Sequence, residues 1–217
     1  MVMTMYYEDT LYPLQDKVLK EIDALKTPFY LTGGTALSRC YFHHRYSDDL
    51  DLFVNEDEGF EQETGKVLQS LKKFSVRMSI RSDTFCSILI DEILKVDFVN
   101  DTAAHVGEFS PHAIFSKIDN VENIVSNKIS AIWSRDEAKD VVDLWVITKE
   151  REVDWQKIYR DVSGKASGIF PPLVAKKLET FPAELIEKVK WIPGKKPSVA
   201  AFRQDISSLI RDMLKIG

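Results

Sequence analysis

The chain has 217 residues, of which 44% are hydrophobic and 29% charged, and it carries a net charge of -5. That length and apolar content can bury a core large enough to offset chain entropy, which excludes wholesale disorder. No stretch approaches the roughly 20 apolar residues of a membrane span, and the opening MVMTMYYEDT has neither the basic nor the apolar region of a signal peptide, so the expected address is the cytoplasm.

Leu14, Val18, Leu19, Ile22 and Leu25 recur at helical spacing and predict an opening helix over 14–25 with one wet face. Pro28 stops it. Phe29, Tyr30 and Leu31 then form a short apolar run ending in Thr32, Gly33 and Gly34, a strand followed by a turn. A helix is expected over 35–42, and residues 43–48 are too polar to bury. Residues 49–54 alternate charged and apolar side chains, the period of a strand with one buried face. After a surface helix over 59–74, three strand-like runs, Val76–Arg81, Phe85–Ile90 and 94–99, are joined by tight polar connections and read as an antiparallel meander. Asp97 lies on its last strand. Residues 101–111 look irregular, and helical patterns follow over 121–133, 137–148, 155–162, 172–178, 183–189 and 198–215. Strands first and helices afterwards predict an α+β fold with a small mixed or antiparallel sheet, divided into units 1–118 and 119–217.

Charge is unevenly spread. From Trp155 onward 12 Lys and Arg face 6 Asp and Glu, whereas 17 face 28 before it. A basic C-terminal surface suits a polyanion such as RNA, but dispersed lysines are also good solvated helix residues. The two cysteines, Cys40 and Cys86, are too few for a disulfide scaffold or a cysteine zinc site and are read as reduced thiols.

The chemistry concentrates between Leu31 and Leu52. Side chains two apart on a strand share a face, so Asp49 and Asp51 project together while Leu50 and Leu52 enter the core. Adjacent carboxylates repel unless a cation joins them, and hard divalent ions take carboxylate oxygens together with substrate phosphates. Just upstream, Gly33 and Gly34 stand between an apolar strand and a helix, where backbone amides can cradle phosphate and the missing side chains permit close approach. A tight turn beside solvated acids is the plain reading of either half alone. Together they form a phosphate cradle next to a paired-carboxylate strand.

The string GGTALSRCYFHHRYSDDLDLF, from Gly33 to Phe53, resembles the signature of the AbiEii/AbiGii-type toxin branch of the polymerase-β-like nucleotidyltransferases, with His44, Arg45, Ser47, Asp49 and Asp51 in the matching places. A third carboxylate of that superfamily matches Asp97 in Lys95-Val96-Asp97-Phe98-Val99. Further on, Lys128, Arg135, Lys139, Asp140 and Asp143 match a helix lysine followed by Arg-x-x-x-Lys-Asp-x-x-Asp, so the resemblance covers residues 28–148. It implies transfer of a nucleoside monophosphate from an NTP to an acceptor hydroxyl, with pyrophosphate released and Mg²⁺ or Mn²⁺ as cofactor. By the same resemblance Asp49, Asp51 and Asp97 bind metal and act in catalysis with Lys128, while Gly33, Gly34, Thr35, Arg45, Ser47, Arg135 and Lys139 bind the nucleotide. Residues 1–118 become the catalytic core and 119–217 a helical subdomain completing the cleft. Expected partners are an RNA (tRNA) or protein acceptor and a cognate antitoxin, in a toxin or phage-defence role.

Two rivals follow from other readings. Arg39 and His44 fit the Arg-x4-6-His spacing of a HEPN-type ribonuclease, but that fold is helical throughout and the strand signals oppose it. A non-catalytic nucleotide- or protein-binding module of the same fold is the other. Ser163-Gly164-Lys165 is a fragment of a Walker loop, but Tyr159 stands where its first glycine is required. His43, His44, His105 and His112 form no zinc spacing.

Overall fold

The computed structural model describes residues 2–165 and 167–215. The chain opens with α1 (Val2–Tyr6), which runs through a π-helical turn, Tyr7–Leu11, into α2 (Tyr12–Ala24), so the opening helix starts well before the predicted 14. Tyr7 and Leu11 are buried and extend the apolar stripe of Val18, Leu19 and Ile22 toward the N-terminus. After β1 (Tyr30–Thr32) come α3 (Gly33–Ala36) and a π-helical continuation, Leu37–Phe42, which His43 ends in the left-handed conformation at φ 48°.

The rest of the sheet is β2 (Leu50–Asn55), then α4 (Phe60–Ser70), then the meander β3 (Val76–Arg81), β4 (Phe85–Ile90) and β5 (Leu94–Asp101). Two further strands were not expected, β6 (Ser110–His112) at the end of the stretch read as irregular and β7 (Phe115–Ile118) in the gap before the helix expected at 121. Their signal is weak for a physical reason. All three residues of β6 are exposed and Pro111 is among them, which suits only a sheet edge. The helices are α5 (Val121–Ser134), α6 (Ala138–Glu150), α7 (Trp155–Lys165), α8 (Pro171–Thr180) and α9 (Val199–Met213), with a 3₁₀ segment, Ala183–Lys188, where an α-helix was expected.

One seven-stranded sheet runs in the order β3-β4-β5-β2-β1-β7-β6. The meander pairs antiparallel, as do β1 with β2 and β6 with β7, while β2 with β5 and β1 with β7 are parallel. Alternation decides which face is which. Leu50, Leu52 and Val54 of β2 and Val96 and Phe98 of β5 are buried, and the residues between them turn to the opposite side. A continuous hydrophobic core reaches from Tyr7 to Met213 and includes Ile124 and Ile129 of α5 and Val142 and Leu144 of α6. Each such side chain contributes about 1.5–3 kcal/mol by leaving water. That shared core fixes α5 and α6 over the open face of β2 and β5.

Candidate active site

The site begins at the turn after β1. Gly33 adopts φ +68°, a left-handed conformation that strains other residues, and a Cβ there would overlap Asp51 Oδ2. A Cβ on Gly34 would likewise overlap the Arg45 guanidinium. The two glycines therefore let backbone lie directly against charged side chains.

Across the sheet edge, Thr32 on β1, Asp51 on β2 and Asp97 on β5 are successive register partners. Asp49 immediately precedes β2 and shares the face of Asp51. Asp97 accepts hydrogen bonds from Ser87 Oγ at 2.6 Å and from Lys95 Nζ at 2.5 Å. No hydrogen bond or ion pair holds the Asp49 or Asp51 side chain among the described residues. Burial pushes the Asp51 carboxyl up to about 6, with Asp97 and Asp49 adding to the rise and Lys128 opposing it. Burial also raises Asp49, against the pull of Lys95 and Lys139.

These residues open into a cleft of about 490 Å³, floored by β2 and β5 and roofed by α5. Gly33, Gly34, Arg45, Ser47, Asp49, Asp51, Asp97, Lys128, Arg135 and Lys139 all line it. Thr35 does not; it is buried, and its hydroxyl donates to the Asp49 carbonyl, fixing the start of β2. Among the described residues no three acidic, histidine or cysteine side chains converge as a ready metal cage. In their chemistry the donors fit a hard divalent ion, being carboxylate oxygens, and Asp97 and Asp49 both raise the Asp51 pKa.

A buried charge network forms the roof, and its ion pairs bury His44 and Arg45 in the segment expected to be too polar to bury. Lys128 Nζ lies 2.8 Å from Asp140 and 2.6 Å from Asp143, and Arg135 Nε lies 2.7 Å from Asp140. Asp143 also takes Arg45 Nε and Nη2, both at 2.7 Å, and His44 Nε2 at 2.8 Å. Burial lowers the His44 pKa despite Asp143, which keeps the ring neutral, whereas Asp143 is held well below the usual carboxylate range by Arg45 and Lys128 against its own burial. Lys128 and Arg135, which the resemblance assigns to catalysis and to nucleotide binding, thus have carboxylates of α6 as direct partners while still lining the cleft.

Sequence reasoning missed a second polar cluster. Asp119, fully buried after β7, accepts from Thr32 Oγ1 at 2.5 Å, His105 Nε2 at 2.9 Å and Asn123 Nδ2 at 2.9 and 3.0 Å. Asn123 in turn receives Lys165 Nζ at 2.6 Å. The adjoining Asn120 caps α5, accepting from Asn123 N, and nothing in the local pattern sets Asp119 apart from it.

A mixed sheet bearing acidic side chains on adjacent strands beside a glycine turn is the fold of a nucleotidyltransferase. The chain belongs to the AbiEii nucleotidyltransferase toxin family: residues 17–213 match the family model described as "Nucleotidyl transferase AbiEii toxin, Type IV TA system". It is 30% identical over 157 residues to an uncharacterized protein of Aquifex aeolicus (strain VF5), covering 70% of this chain and 73% of the relative. Among solved structures it is similar to MenT4, a nucleotidyltransferase toxin of Mycobacterium tuberculosis H37Rv, with a TM-score of 0.58 and 13% identity over 95% of this chain and 84% of that one. JHP933 from Helicobacter pylori gives 0.57 and 18%, over 93% and 92%. At these identities the likeness establishes the shared fold. Among the described residues no helix is long and apolar enough to cross a membrane.

Proposed function

We propose that the protein moves a nucleoside monophosphate from an NTP to an acceptor hydroxyl in a reaction that requires a divalent cation. The observation that carries this reading is the register of Asp51 beside Asp97, with Asp49 on the same face and Gly33 pressed against Asp51. Six basic and six acidic side chains line the cleft, so its own residues leave little net charge to balance a polyanionic triphosphate. Asp49, Asp51 and Asp97 would hold Mg²⁺ or Mn²⁺, which supplies that balance and acidifies the attacking hydroxyl.

The chain's own residues then have distinct tasks. Backbone N–H groups at Gly33 and Gly34 donate to phosphate oxygens, with Ser47 and the Arg45 edge behind them. Lys128, Arg135 and Lys139 offset the charge that grows as the acceptor oxygen bonds to the α-phosphorus and the bond to pyrophosphate breaks. Asp97 takes the hydroxyl proton. In this reading residues 1–118 supply the carboxylates and the glycine turn, and residues 119–217 close the cleft from above. An RNA such as a tRNA 3′ end, or a protein hydroxyl, is the acceptor, and a cognate antitoxin is the cellular partner in the cytoplasm.

Incubation of the full chain and Mg²⁺ with each α-labelled NTP and with total RNA or protein tests this. Label should reach a macromolecule with wild type and vanish with Asp49→Ala and Asp51→Ala, both still folded. Retained labelling in both variants rejects the assignment. One observation favours a second reading, a nucleotide-binding module without turnover: the Lys95 ammonium already sits on Asp97. Tight NTP binding with no transfer to any acceptor would select it.

A further inference from the structure

The cleft has two unlike ends. Along β2 the cleft-facing side chains run from Asp49 and Asp51 to Phe53, one strand step of about 7 Å further on. Phe53 pairs in register with Tyr30, whose ring stands 5.0 Å from that of His105, itself hydrogen-bonded to Asp119. One end is therefore acidic and adjoins the glycine turn. The other is walled by Phe53 and Ile124, a flat ring and an aliphatic side chain.

At this second end stands Lys165. Of the six basic residues lining the cleft, Arg45, Lys95, Lys128 and Arg135 each have a carboxylate within ion-pair distance. Lys139 and Lys165 have none among the described residues. Lys165 Nζ is held by neutral oxygens of α5, Asn123 Oδ1 at 2.6 Å, Ser126 Oγ at 2.6 Å and Asn127 Oδ1 at 2.7 Å. Three neutral oxygens satisfy the ammonium's donors but leave its charge unmatched. The placement is specified from a distance, because both Asp119 oxygens take the Asn123 amide N–H₂ and so turn its Oδ1 toward Lys165. Burial lowers the Lys165 pKa against the pull of Asp119, Asp101 and Asp161, whereas the cations that act on Asp49 and Asp51 are Lys95, Lys128 and Lys139.

Resting on the function proposed above, we infer that the Phe53 end receives the donor's nucleobase and that Lys165 selects a base carrying a carbonyl on the edge farthest from the sugar. With the triphosphate at the glycine turn, the base extends toward Phe53 and presents its 4-position (pyrimidine) or 6-position (purine) to the far wall. Uracil and guanine offer a carbonyl oxygen there, and adenine and cytosine an amino group. Lys165 can exchange Asn127 for a carbonyl and gain a charge-assisted bond. Against an amino group it would set donor against donor and leave both unsatisfied. UTP and GTP are thus the preferred donors.

The test is equilibrium binding of UTP, GTP, ATP and CTP to the full chain with Mg²⁺, with inorganic tripolyphosphate as a base-free reference. Wild type should bind UTP and GTP at least ten-fold more tightly than ATP and CTP. Lys165→Met should bring all four within about two-fold while leaving tripolyphosphate unchanged, and Lys165→Arg should keep the ranking. The wild-type ranking is decisive even if the methionine variant does not fold: equal binding of the four, or preference for ATP or CTP, overturns the inference. A preference that survives in folded Lys165→Met overturns it too. Absence of any NTP binding by wild type would instead sink the proposed function, so the two failures are distinct.

Discussion

Arg45 and Asp143 stand 98 positions apart in the chain, yet they form a two-pronged ion pair with both nitrogen–oxygen distances at 2.7 Å. The pair joins the polar segment before β2 to the buried face of α6, and Lys128 from α5 shares the same carboxylate. Three elements that build the cleft are thereby fixed on one fully buried side chain.

Replacing Asp143 with alanine should be strongly destabilising, since it strands Arg45 and Lys128 without their shared partner. Breaking a buried pair on one side costs about 3–5 kcal/mol, which for a chain of this size lowers Tm by at least about 6 °C. The double change Arg45→Met with Asp143→Leu should cost less than Asp143→Ala alone, because no orphaned charge remains at that pair. Thermal unfolding of the two variants decides it, and the reverse order would show that the pair is worth more than its desolvation.

Gly33→Ala should separate stability from ligand binding. The φ of +68° makes the substitution strained, and the new methyl would press on Asp51 Oδ2. Backbone incompatibility of this kind costs about 1 kcal/mol or more. The expected result is a folded protein with a modestly lowered Tm whose affinity for NTP falls at least ten-fold. Unimpaired NTP affinity would mean that the turn serves geometry alone.

Asp51 gives a pH signature. Its carboxyl titrates at about 6 in the folded chain, above the ordinary value, so the folded state holds this proton more tightly than the unfolded state does. Its contribution to stability is therefore fully present below the unfolded pKa and is lost as pH rises through about 6. Asp51→Asn should raise stability at pH 7.5 by about 1–2 kcal/mol, discounted because the side chain is partly exposed, and should change little near pH 4. Melting curves at the two pH values check this. A variant less stable than wild type at pH 7.5 would show that Asp51 already has a stabilising partner.

How much of this was legible beforehand follows from where each signal lives. The alternation over Leu50–Asn55 is local, and it places Asp49 and Asp51 on one face without any knowledge of the fold, whereas Asp97 was singled out by resemblance to the family. The neighbouring register of Asp51 and Asp97 is not local, because it depends on β5 passing the meander edge to lie parallel beside β2. β6 escaped because a three-residue exposed edge strand buries too little to leave a pattern, and β7, four residues with only Phe115 and Ile118 buried, is too short to show alternation. Asp143 reads locally as one of several acids on a helix, and its partner Arg45 is named only by the fold. Lys165 was visible solely as a broken Walker fragment, because Asn123, Ser126 and Asn127 meet it only after α7 packs on α5.

Lys95 supplies the last test, and it bears on the cation requirement itself. Lys95 and Asp97 are two apart on β5 and share a face, which lets the ammonium reach Oδ2 at 2.5 Å. Burial pulls the Lys95 pKa down, but Asp97, Asp49 and Asp51 together outweigh it and the net shift is upward. The lysine is thus the cationic neighbour common to the three carboxylates and competes with a divalent ion for Asp97. A hydrogen bond to a charged group contributes about 1.5–3 kcal/mol, so removing the competitor in Lys95→Met should tighten Mn²⁺ binding by roughly ten-fold. The same change should lower Tm in EDTA, where the carboxylates repel without relief, and the loss should be recovered on adding Mn²⁺. Titration of Mn²⁺ by its paramagnetic signal measures the first effect directly. Unchanged or weaker Mn²⁺ affinity in the methionine variant would show that the lysine and the ion do not contend for the same oxygen, and the metal would then have to be held by Asp49 and Asp51 without Asp97.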